Sequence, residues 1–416
     1  AYYSPNMGRL SGLAIFTGSS QVLYGPHTTA GVINYLSTEI PQEQHFYLKQ
    51  TYGSYNESIT QAHYGDTFDL EAGKLGVLFE YYHRANDGFR KIQGTTKDTG
   101  IEHQSEPTLK LRFEPNTDRT QYFEFKIGYT DMQANETYLG LSDDDFSADP
   151  YERYWITQHA QINTYGYRTY FRHFIELTEE TSLKTTAYYQ AFHRNWHKLD
   201  KVGAGGTNPA KALAAGGADF GIINGTGAGD YLVKGNNRSY YLYGVQSELN
   251  TKQEILGFQN DITLGGRFHI DKVDRDQYND SYTADGSGGT TFNGRAYNGG
   301  NRDEKTDSIA TFLQDAIQIT DALTITPGAR VEHIRAERVD RPAGKAEYKT
   351  NYTAWSGGIG FNYVVNDQLS VFGGVHQGVS LVGGGAAAKD GVSPEKTLAK
   401  EIALRSTNKE EPFPAQ

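Results

Sequence analysis

Residues 17–37 read TGSSQVLYGPHTTAGVINYLS, and this stretch decides how the rest of the sequence is interpreted. Its two apolar runs, VLYG at 22–25 and GVINY at 31–35, are separated by a Gly/Pro/Thr segment. That pattern predicts two short strands joined by a turn, as in a small packed sheet. Gly25 and Gly31 border the turn, and glycine accepts a positive φ or the close approach of another backbone. Taken alone, the stretch predicts a generic β-hairpin.

After this stretch, apolar and polar residues alternate in segments of about ten residues. In YFEFKIGY (122–129), Phe123 and Phe125 share one face, and Glu124 points the other way. Alternation at period two predicts strands, and about ten residues is the length that a tilted membrane strand needs. About fourteen segments follow this pattern, at 45–54, 58–65, 73–84, 107–115, 122–129, 163–175, 181–193, 238–249, 260–271, 307–319, 323–334, 352–364, 368–378 and 397–405.

The connections between these segments have unequal lengths. The short ones are 114–119, 177–180, 320–321 and 365–367, and the long ones are 131–160, 195–237, 272–306, 335–351 and 379–396. Short connections alternate with long ones, which is typical of an outer-membrane barrel, whereas a soluble sandwich keeps most loops short. The sequence therefore predicts an all-β fold, a transmembrane antiparallel β-barrel. The Gly-rich stretches 203–229 and 285–300 are predicted to be mobile surface loops.

Composition narrows the class of protein further. The 416 residues include 39 Lys and Arg against 50 Asp and Glu, a net charge of −11, which argues against a nucleic-acid partner. Cysteine is absent, so a disulfide scaffold, a zinc–thiolate site and a cysteine nucleophile are excluded. Mean hydropathy is −0.63 and no run of 18 apolar residues occurs, so no transmembrane helix is expected. The 30 Tyr, 20 Phe and 47 Gly suit a large all-β protein with long loops.

Residues 17–37 resemble the end of the plug domain of TonB-dependent outer-membrane receptors. The family pattern begins with Arg-Gly and runs through Tyr-Gly to Gly-x-Ile-Asn, and the matching positions here are Gly18, Ser20, Tyr24, Gly25, Gly31, Ile33 and Asn34. The family's first position is usually arginine, which is thought to pair with acidic residues of the barrel, but here it is Thr17. The resemblance therefore implies a plug–barrel tether that is altered or supplied elsewhere.

Two barrel segments extend the resemblance. ITPGARVEHI (325–334), which contains Glu332, is similar to a family strand that reads TPG-x-R-x-E/D. VSPEKTLAKEIALR (392–405) is similar to a second family motif, with Pro394, Glu395, Lys396, Glu401 and Arg405 matching. The segment 136–155 resembles an outer loop of ferric-dicitrate-type receptors.

The resemblance also implies a domain organisation. Residues 1–42 are expected to be the C-terminal part of a plug, and residues 43–416 a partial barrel with long extracellular loops. Family barrels have 22 strands, so the chain is expected to be a fragment that lacks the segment that binds TonB and does not fold alone.

If the ligand is a ferric-citrate-like anion, arginines of the outer loops are the expected ligand-binding residues, because a guanidinium group pairs bidentately with a carboxylate. Arg194 lies near the place where dicitrate receptors present an arginine, and Arg275 occupies a comparable position after a strand predicted to end at Asp271. Tyr2, Tyr3 and Asn6 are candidates on an apical loop of the plug. Glu248 stands where a further family arginine is expected. For each residue the alternative is a solvated loop side chain.

The resemblance implies TonB-dependent active import of a ferric chelate, a carboxylate-type siderophore or ferric citrate, across the outer membrane of a Gram-negative-type bacterium. The expected partners are the TonB energy-transducing complex, the iron chelate and outer-membrane lipid. No catalytic constellation, resident cofactor or metal site is expected; the four aspartates at 271–280 are interpreted as solvated charge rather than calcium ligands. The alternatives are a TonB-dependent receptor for an oligosaccharide or cobalamin, a passive porin, and a soluble β-sandwich adhesin.

Overall fold

Antiparallel strands make up most of the computed structural model, which describes residues 3–25, 27–29, 31–135, 137–297, 299–341 and 346–406, without the side chains of Ser19 and Ala346. The strands are β1 (Leu10–Phe16), β2 (Val32–Ser37), β3 (His45–Gly53), β4 (Glu57–Leu70), β5 (Gly73–Ala85), β6 (Lys91–Ile92), β7 (Ile101–Pro115), β8 (Gln121–Ala134), β9 (Glu152–Arg153), β10 (Gln161–Glu176), β11 (Thr181–Val202), β12 (Ala228–Ile255), β13 (Phe258–Arg275), β14 (Tyr278–Asp285), β15 (Thr290–Tyr297), β16 (Arg302–Gln318), β17 (Leu323–Asp340), β18 (Ala346–Asn366), β19 (Leu369–Ser380) and β20 (Glu395–Ser406). Four short α-helices accompany them, α1 (Asp143–Ala148), α2 (Pro209–Ala215), α3 (Gly217–Asn224) and α4 (Gly384–Asp390), with 3₁₀-helices at Met7–Arg9, Gly18–Leu23 and Trp155–His159.

A single sheet contains all the predicted segments. Along its main path the order is β3-β4-β5-β7-β8-β10-β11-β12-β13-β16-β17-β18-β19-β20, and each strand pairs with the next. This path of fourteen strands confirms the predicted number. The hairpin β14–β15 is attached to β12, β1 pairs with β2, and β6 pairs with β9. A β-sandwich packs two sheets face to face, so the adhesin alternative does not match this architecture.

All the long connections lie at one end of the sheet, together with the short connections 54–56 and 341–345, and the other end has only short connections. The short-turn end holds the connections 71–72, 116–120, 177–180, 256–257, 319–322 and 367–368. The loop end holds 54–56, 86–100, 135–160, 203–227, 276–301, 341–345 and 381–394. The predicted alternation is confirmed, but the prediction of a long loop at 335–351 is wrong, because β17 and β18 continue to pair until Asp340 and Ala346 meet. Strand β11 likewise runs to Val202 instead of ending at 193.

The sheet curves around the N-terminal segment (residues 3–37). The Asn6 side chain donates to the Tyr82 hydroxyl of β5 at 2.7 Å, and the Thr17 hydroxyl bonds the Glu401 carboxylate of β20 at 3.2 Å. In a flat sheet β5 and β20 would lie roughly 50 Å apart, at 4.7–4.9 Å per strand. The eleven residues from Asn6 to Thr17 reach at most roughly 40 Å. We define the inward face of the sheet as the one that contacts this segment.

The hairpin predicted at 22–35 is wrong in its first strand. Residues Gly18–Leu23 form a 3₁₀-helix, and β2 pairs instead with β1, so that Ile33 lies opposite Ile15 and Asn34 opposite Ala14. By its local pattern, LSGLAIF at 10–16 is as good a candidate for the partner strand of β2 as the VLYG run is. A local pattern therefore cannot tell which of the two runs pairs with β2. The expectation for the glycines is confirmed, because Gly25 and Gly31 have φ of 150° and 141°.

The Gly/Ala-rich stretch at 203–229 is folded, which corrects the prediction of a mobile loop. Helix α2 begins after Asn208, whose side chain accepts the backbone N–H of Ala210, and α3 ends at Gly225 with φ of 82°. The two helices bury Ile222 and Ile223 against Trp155. The partners of this loop core therefore come from the preceding loop and from β11 and β12, which composition within the stretch does not reveal.

Replacing Ile223 by Ala is expected to open this loop core. Ile223 is fully buried, and such truncations cost about 2–5 kcal/mol. Cleavage within residues 203–227 by a nonspecific protease should therefore become at least about tenfold faster, because local opening limits access. Lys211→Ala, on the exposed side of α2, is the matched control and should leave the rate unchanged. Equal cleavage rates for the Ile223 variant and the wild type would contradict the folded loop.

Acidification is expected to destabilise the same core through His159. Its Nε2 lies 2.9 Å from the Tyr231 hydroxyl, and its ring stacks on Tyr282 at 4.5 Å. Burial, helped by Lys97 and His197, lowers the pKa of His159 to about 4. A base with a lowered pKa stabilises the fold fully above its ordinary value near 6.5, and this contribution is lost as the pH falls toward 4.

The expected loss in stability of the loop core is about 3 kcal/mol at the acidic limit. Near-UV circular dichroism, followed from pH 7.5 to pH 4, measures the transition. The variant His159→Phe keeps the ring contact and removes the titration, so its transition should shift to lower pH. An unchanged midpoint would rule out His159 as the responsible group.

Candidate functional site

Four arginines form a row across the inward face near the loop end of the sheet. The cross-strand partners are Arg194 with Arg238, Arg238 with Arg275, and Arg275 with Arg302. Directly opposed residues in antiparallel strands hold their Cβ atoms about 4.5–5.5 Å apart, so these guanidinium groups are close neighbours. We call Arg194, Arg238, Arg275 and Arg302 the arginine row. Its face is inward because Phe192, two residues before Arg194, contacts Tyr3 of the N-terminal segment.

The row lies beyond the part of the sheet that is expected to cross a membrane. A strand needs about nine to eleven residues to cross a bilayer. Arg275 is the last of the 18 residues of β13, counted from the short-turn end. The row therefore lies among the parts of the strands that lead into the long connections.

Like charges in direct opposition destabilise a sheet, so the row carries an electrostatic cost. Burial, together with the nearby charges of Arg238 and Arg302, lowers the pKa of Arg275 to about 10, while Glu304 opposes this shift. Arg275 nevertheless stays protonated at neutral pH. The Arg275 Nε donates to the Gln277 Oε1 at 2.8 Å, and Arg302 pairs with Glu304. The cationic surplus favours an anionic ligand with several carboxylates.

Arg194 and Arg275, both predicted from the sequence, are brought into this row, although their surroundings differ from the prediction. Arg194 lies within β11 instead of at its end, is fully buried, and donates from Nε to the Tyr240 hydroxyl at 3.2 Å. Arg275 is the last residue of β13, which does not end at Asp271. In both cases the strand continues because pairing with its neighbour continues.

The ligand-binding candidates from the N-terminal segment are not members of the arginine row. Tyr2 lies outside the described residues. The Tyr3 hydroxyl donates to the Glu106 carboxylate at 3.0 Å, and its ring lies 3.9 Å from the Arg168 guanidinium carbon. Asn6 caps the Met7–Arg9 helix and bonds Tyr82. Tyr3 therefore lies near the arginine row, because it contacts Phe192, two residues before Arg194. Asn6 instead joins the N-terminal segment to β5.

Arg238 and Arg302 are the residues that the sequence analysis missed. Both lie on the inward face by the alternation of their strands, but alternation alone does not give the register between strands. Glu248, expected in place of a ligand arginine, lies ten residues along β12 from Arg238 and pairs with Lys184 at 2.5 Å.

The N-terminal segment is anchored to β20 through Glu401 and to β17 through Arg330, the partner of Glu332. Glu401 accepts the Thr17 hydroxyl, and Gly18 approaches it so closely that a Cβ there would lie 2.7 Å from its Oε1. Glu332 accepts Arg330 Nε and Nη2 at 3.0 and 2.9 Å, and Arg330 Nη1 donates to the Val22 carbonyl at 3.3 Å. Arg330 of β17 thus joins Glu332 to the N-terminal segment.

The remaining motif residues have local roles. Ser20 Oγ donates to the Thr17 carbonyl at 3.0 Å, and Tyr24 stacks on Phe16 at 4.3 Å. Pro394 precedes β20, Glu395 and Lys396 begin that strand with exposed side chains, and Arg405 lies over the Phe372 ring at 5.0 Å.

Within the described ranges, no group of three or more His, Asp and Glu side chains is arranged to hold a metal ion. The aspartates at 274 and 280 pair with Lys272 and Arg295, at 3.1 and 2.6 Å. None of the described helices is both long and apolar enough to cross a membrane.

Comparisons with known proteins give a family and a fold. The family described as "TonB dependent receptor-like, beta-barrel" matches residues 103–410. Among solved structures, the ferric citrate transporter FecA in its unliganded form superposes with a TM-score of 0.74 at 19% identity, over 96% of this chain and 55% of that one. The siderophore receptor PiuA from Acinetobacter baumannii gives 0.71 at 14% identity, over 97% and 61%.

The ferric-catecholate import receptor Fiu from E. coli K12, in its open form, gives a TM-score of 0.66 at 13% identity, over 95% of this chain and 62% of that one. The chain thus spans between about half and two thirds of the length of these structures. At such low identity the similarity concerns the fold alone.

Proposed function

The chain belongs to the family of TonB dependent receptor-like β-barrels, and from that premise we propose that it is part of an outer-membrane receptor that imports a ferric chelate rich in carboxylates. The arginine row is the observation that supports this ligand class. Arg238, Arg275 and Arg302 present planar, charged guanidinium donors at the spacing of neighbouring strands, next to the fully buried Arg194. A ligand with several carboxylates relieves the repulsion among them, and a neutral ligand does not.

The proposed organisation assigns residues 1–42 to the end of a plug and residues 43–416 to part of a barrel in the outer membrane of a Gram-negative-type bacterium. Outward aromatic and aliphatic side chains, such as Phe125, Ile127 and Phe171, are exposed on the convex face, and they are the groups that contact lipid in this proposal.

Import in this proposal proceeds by differential affinity and not by covalent chemistry. Ligand binding at the arginine row favours one arrangement of the loops and of the N-terminal segment, and energy delivered by the TonB complex then displaces that segment. Tyr3 couples the two regions, because it contacts Phe192 next to Arg194 and also Glu106. The protein acts as a receptor and transporter with no resident cofactor; the iron chelate is its cargo.

Binding to the full-length protein in detergent tests this proposal. Titration with ferric citrate, a ferric catecholate chelate, cobalamin and a neutral oligosaccharide separates the ligand classes. We expect the tightest binding for the ferric carboxylate chelate and a strong decrease at high salt. Tight binding of cobalamin or of the oligosaccharide, without affinity for any ferric chelate, would contradict the iron proposal and support the alternative receptor class.

A further inference from the structure

A second basic site lies between the N-terminal segment and the wall of the sheet. A partly open cavity of about 190 Å³ is lined by Tyr3 and Arg9 on one side and by Lys126, Arg168, Tyr170 and Gln190 on the other. The volume equals that of roughly six liquid water molecules. The cavity is thus large enough for one small organic anion.

The lining carries an excess of positive charge. Among the described residues, the cavity is lined by three cations, Arg9, Lys126 and Arg168, and by no carboxylate. Three acids lie near the lining. Glu106 and Glu124 hydrogen-bond Tyr3 and Tyr170 of the lining, and Glu80 lies opposite Thr108 of the lining and accepts the Thr38 hydroxyl at 2.6 Å.

Glu106 and Glu124 are already engaged by other cations. Glu106 is paired with Arg9. Glu124 is shared by Arg112 at 2.6 Å and Arg172 at 3.6 Å.

Two cations of the lining have no acid within ion-pairing distance among the described residues, although Glu80 acts on Lys126 and Glu106 on Arg168 from further away. Neither Lys126 nor Arg168 forms an ion pair within the part of the chain that the structure describes; their recorded contacts are with the Tyr170 ring, 5.9 Å from Lys126 Nζ, and the Tyr3 ring. Removing two such charges from water without a counter-charge is costly. A bound anion would compensate for that cost.

The cavity lies on the same face of β11 as the arginine row, but nearer the short-turn end. Gln190 lines it, and Arg194 is four residues further along the strand. At about 3.3 Å per residue the two sites are about 13 Å apart. The cavity is lined partly by the N-terminal segment, whereas the row is formed by strands of the sheet.

We propose that this cavity is a second anion-binding site, which takes one small di- or tricarboxylate anion, and that Lys126 and Arg168 bind its carboxylates. Gln190 supplies an additional neutral donor, whereas the Tyr170 hydroxyl already donates to Glu124. The site goes beyond the proposed function, because it concerns anion binding between the N-terminal segment and the wall of the sheet and holds whether or not the imported ligand contains iron.

Calorimetric titration of the full-length protein with iron-free citrate at low ionic strength tests the proposal. The wild type is expected to bind two citrate ions per chain. Lys126→Gln should weaken one of them by about tenfold or more, the cost of losing a charged hydrogen bond, and leave the other unchanged. Arg275→Gln should weaken the citrate ion at the arginine row and leave the ion in the cavity unchanged. Lys126→Arg, which keeps the charge, should bind the cavity ion as the wild type does. Citrate binding that is unchanged in the Lys126→Gln variant, whether the wild type binds one ion or two, would overturn the proposal.

A measurement on the wild type avoids dependence on a variant that does not fold. Crystals soaked in selenate, an oxyanion with an anomalous signal, are expected to show a peak within hydrogen-bonding distance of Lys126 Nζ or Arg168. A cavity without such a peak would overturn the proposal. If the chelate fails to bind at the arginine row while the selenate peak is present, the proposed function is wrong and the second site stands.

Discussion

Replacing Arg275 by Gln is expected to lower the affinity for a ferric chelate with several carboxylates by about ten- to a hundredfold. Hydrogen bonds to charged groups contribute about 1.5–3 kcal/mol, and each 1.4 kcal/mol corresponds to a factor of ten. Arg275 is central in the row, opposite both Arg238 and Arg302, so a bidentate ligand on either pair loses one partner. Glutamine keeps a neutral donor of similar shape and removes the charge.

The double variant Arg238→Gln/Arg275→Gln should lose more affinity than either single variant, although not additively, because the two residues are neighbours. Lys211→Gln on α2 is the matched control, since it removes an exposed charge on the loop side without touching the row. Isothermal titration of the full-length protein provides the measurement. If the Arg275 variant binds like the wild type, or if Lys211→Gln weakens binding equally, the row is not the ligand site and long-range charge explains the effect.

Replacing Arg330 by Met is expected to destabilise the protein by about 3–5 kcal/mol. The Arg330 and Glu332 side chains are 2% and 4% exposed, and removing one partner of a buried ion pair leaves the other charge uncompensated. The variant also loses the hydrogen bond from Arg330 to the Val22 carbonyl, which joins the N-terminal segment to β17. The free energy of unfolding in guanidinium chloride, measured on the detergent-solubilised protein, reports the loss.

A double-mutant cycle identifies the cause. Arg330→Met/Glu332→Met should be less destabilised than Arg330→Met alone, because no buried charge remains. Arg335→Met, on the exposed face of the same strand, is the matched control and should change stability by no more than about 0.5 kcal/mol. A double variant that is as unstable as the single one would show that the packing of Arg330, and not the charge of Glu332, carries the stability.

The anchoring of the N-terminal segment illustrates what the sequence predicts and what it does not. Thr17 departs from the family arginine, which predicts an altered tether but not its replacement. The structure shows that Thr17 bonds Glu401 directly, while Glu332 is paired with Arg330 of its own strand. Both acids were found from their motifs, yet their partners depend on how a segment near residue 20 meets strands more than 300 residues away.

The sequence by itself determined the fourteen strands of the main path and the two unequal ends of the sheet, because alternation at period two and turn residues are local properties of the chain. Only the tertiary structure decided which side chains meet. The arginine row depends on the register of four strands, and a shift of one residue would turn a strand's side chains to the other face. The folded loop at 203–227 depends on Trp155, and the second basic cavity depends on the N-terminal segment lying against β8, β10 and β11. These contacts join residues that are distant in sequence, so no local pattern encodes them.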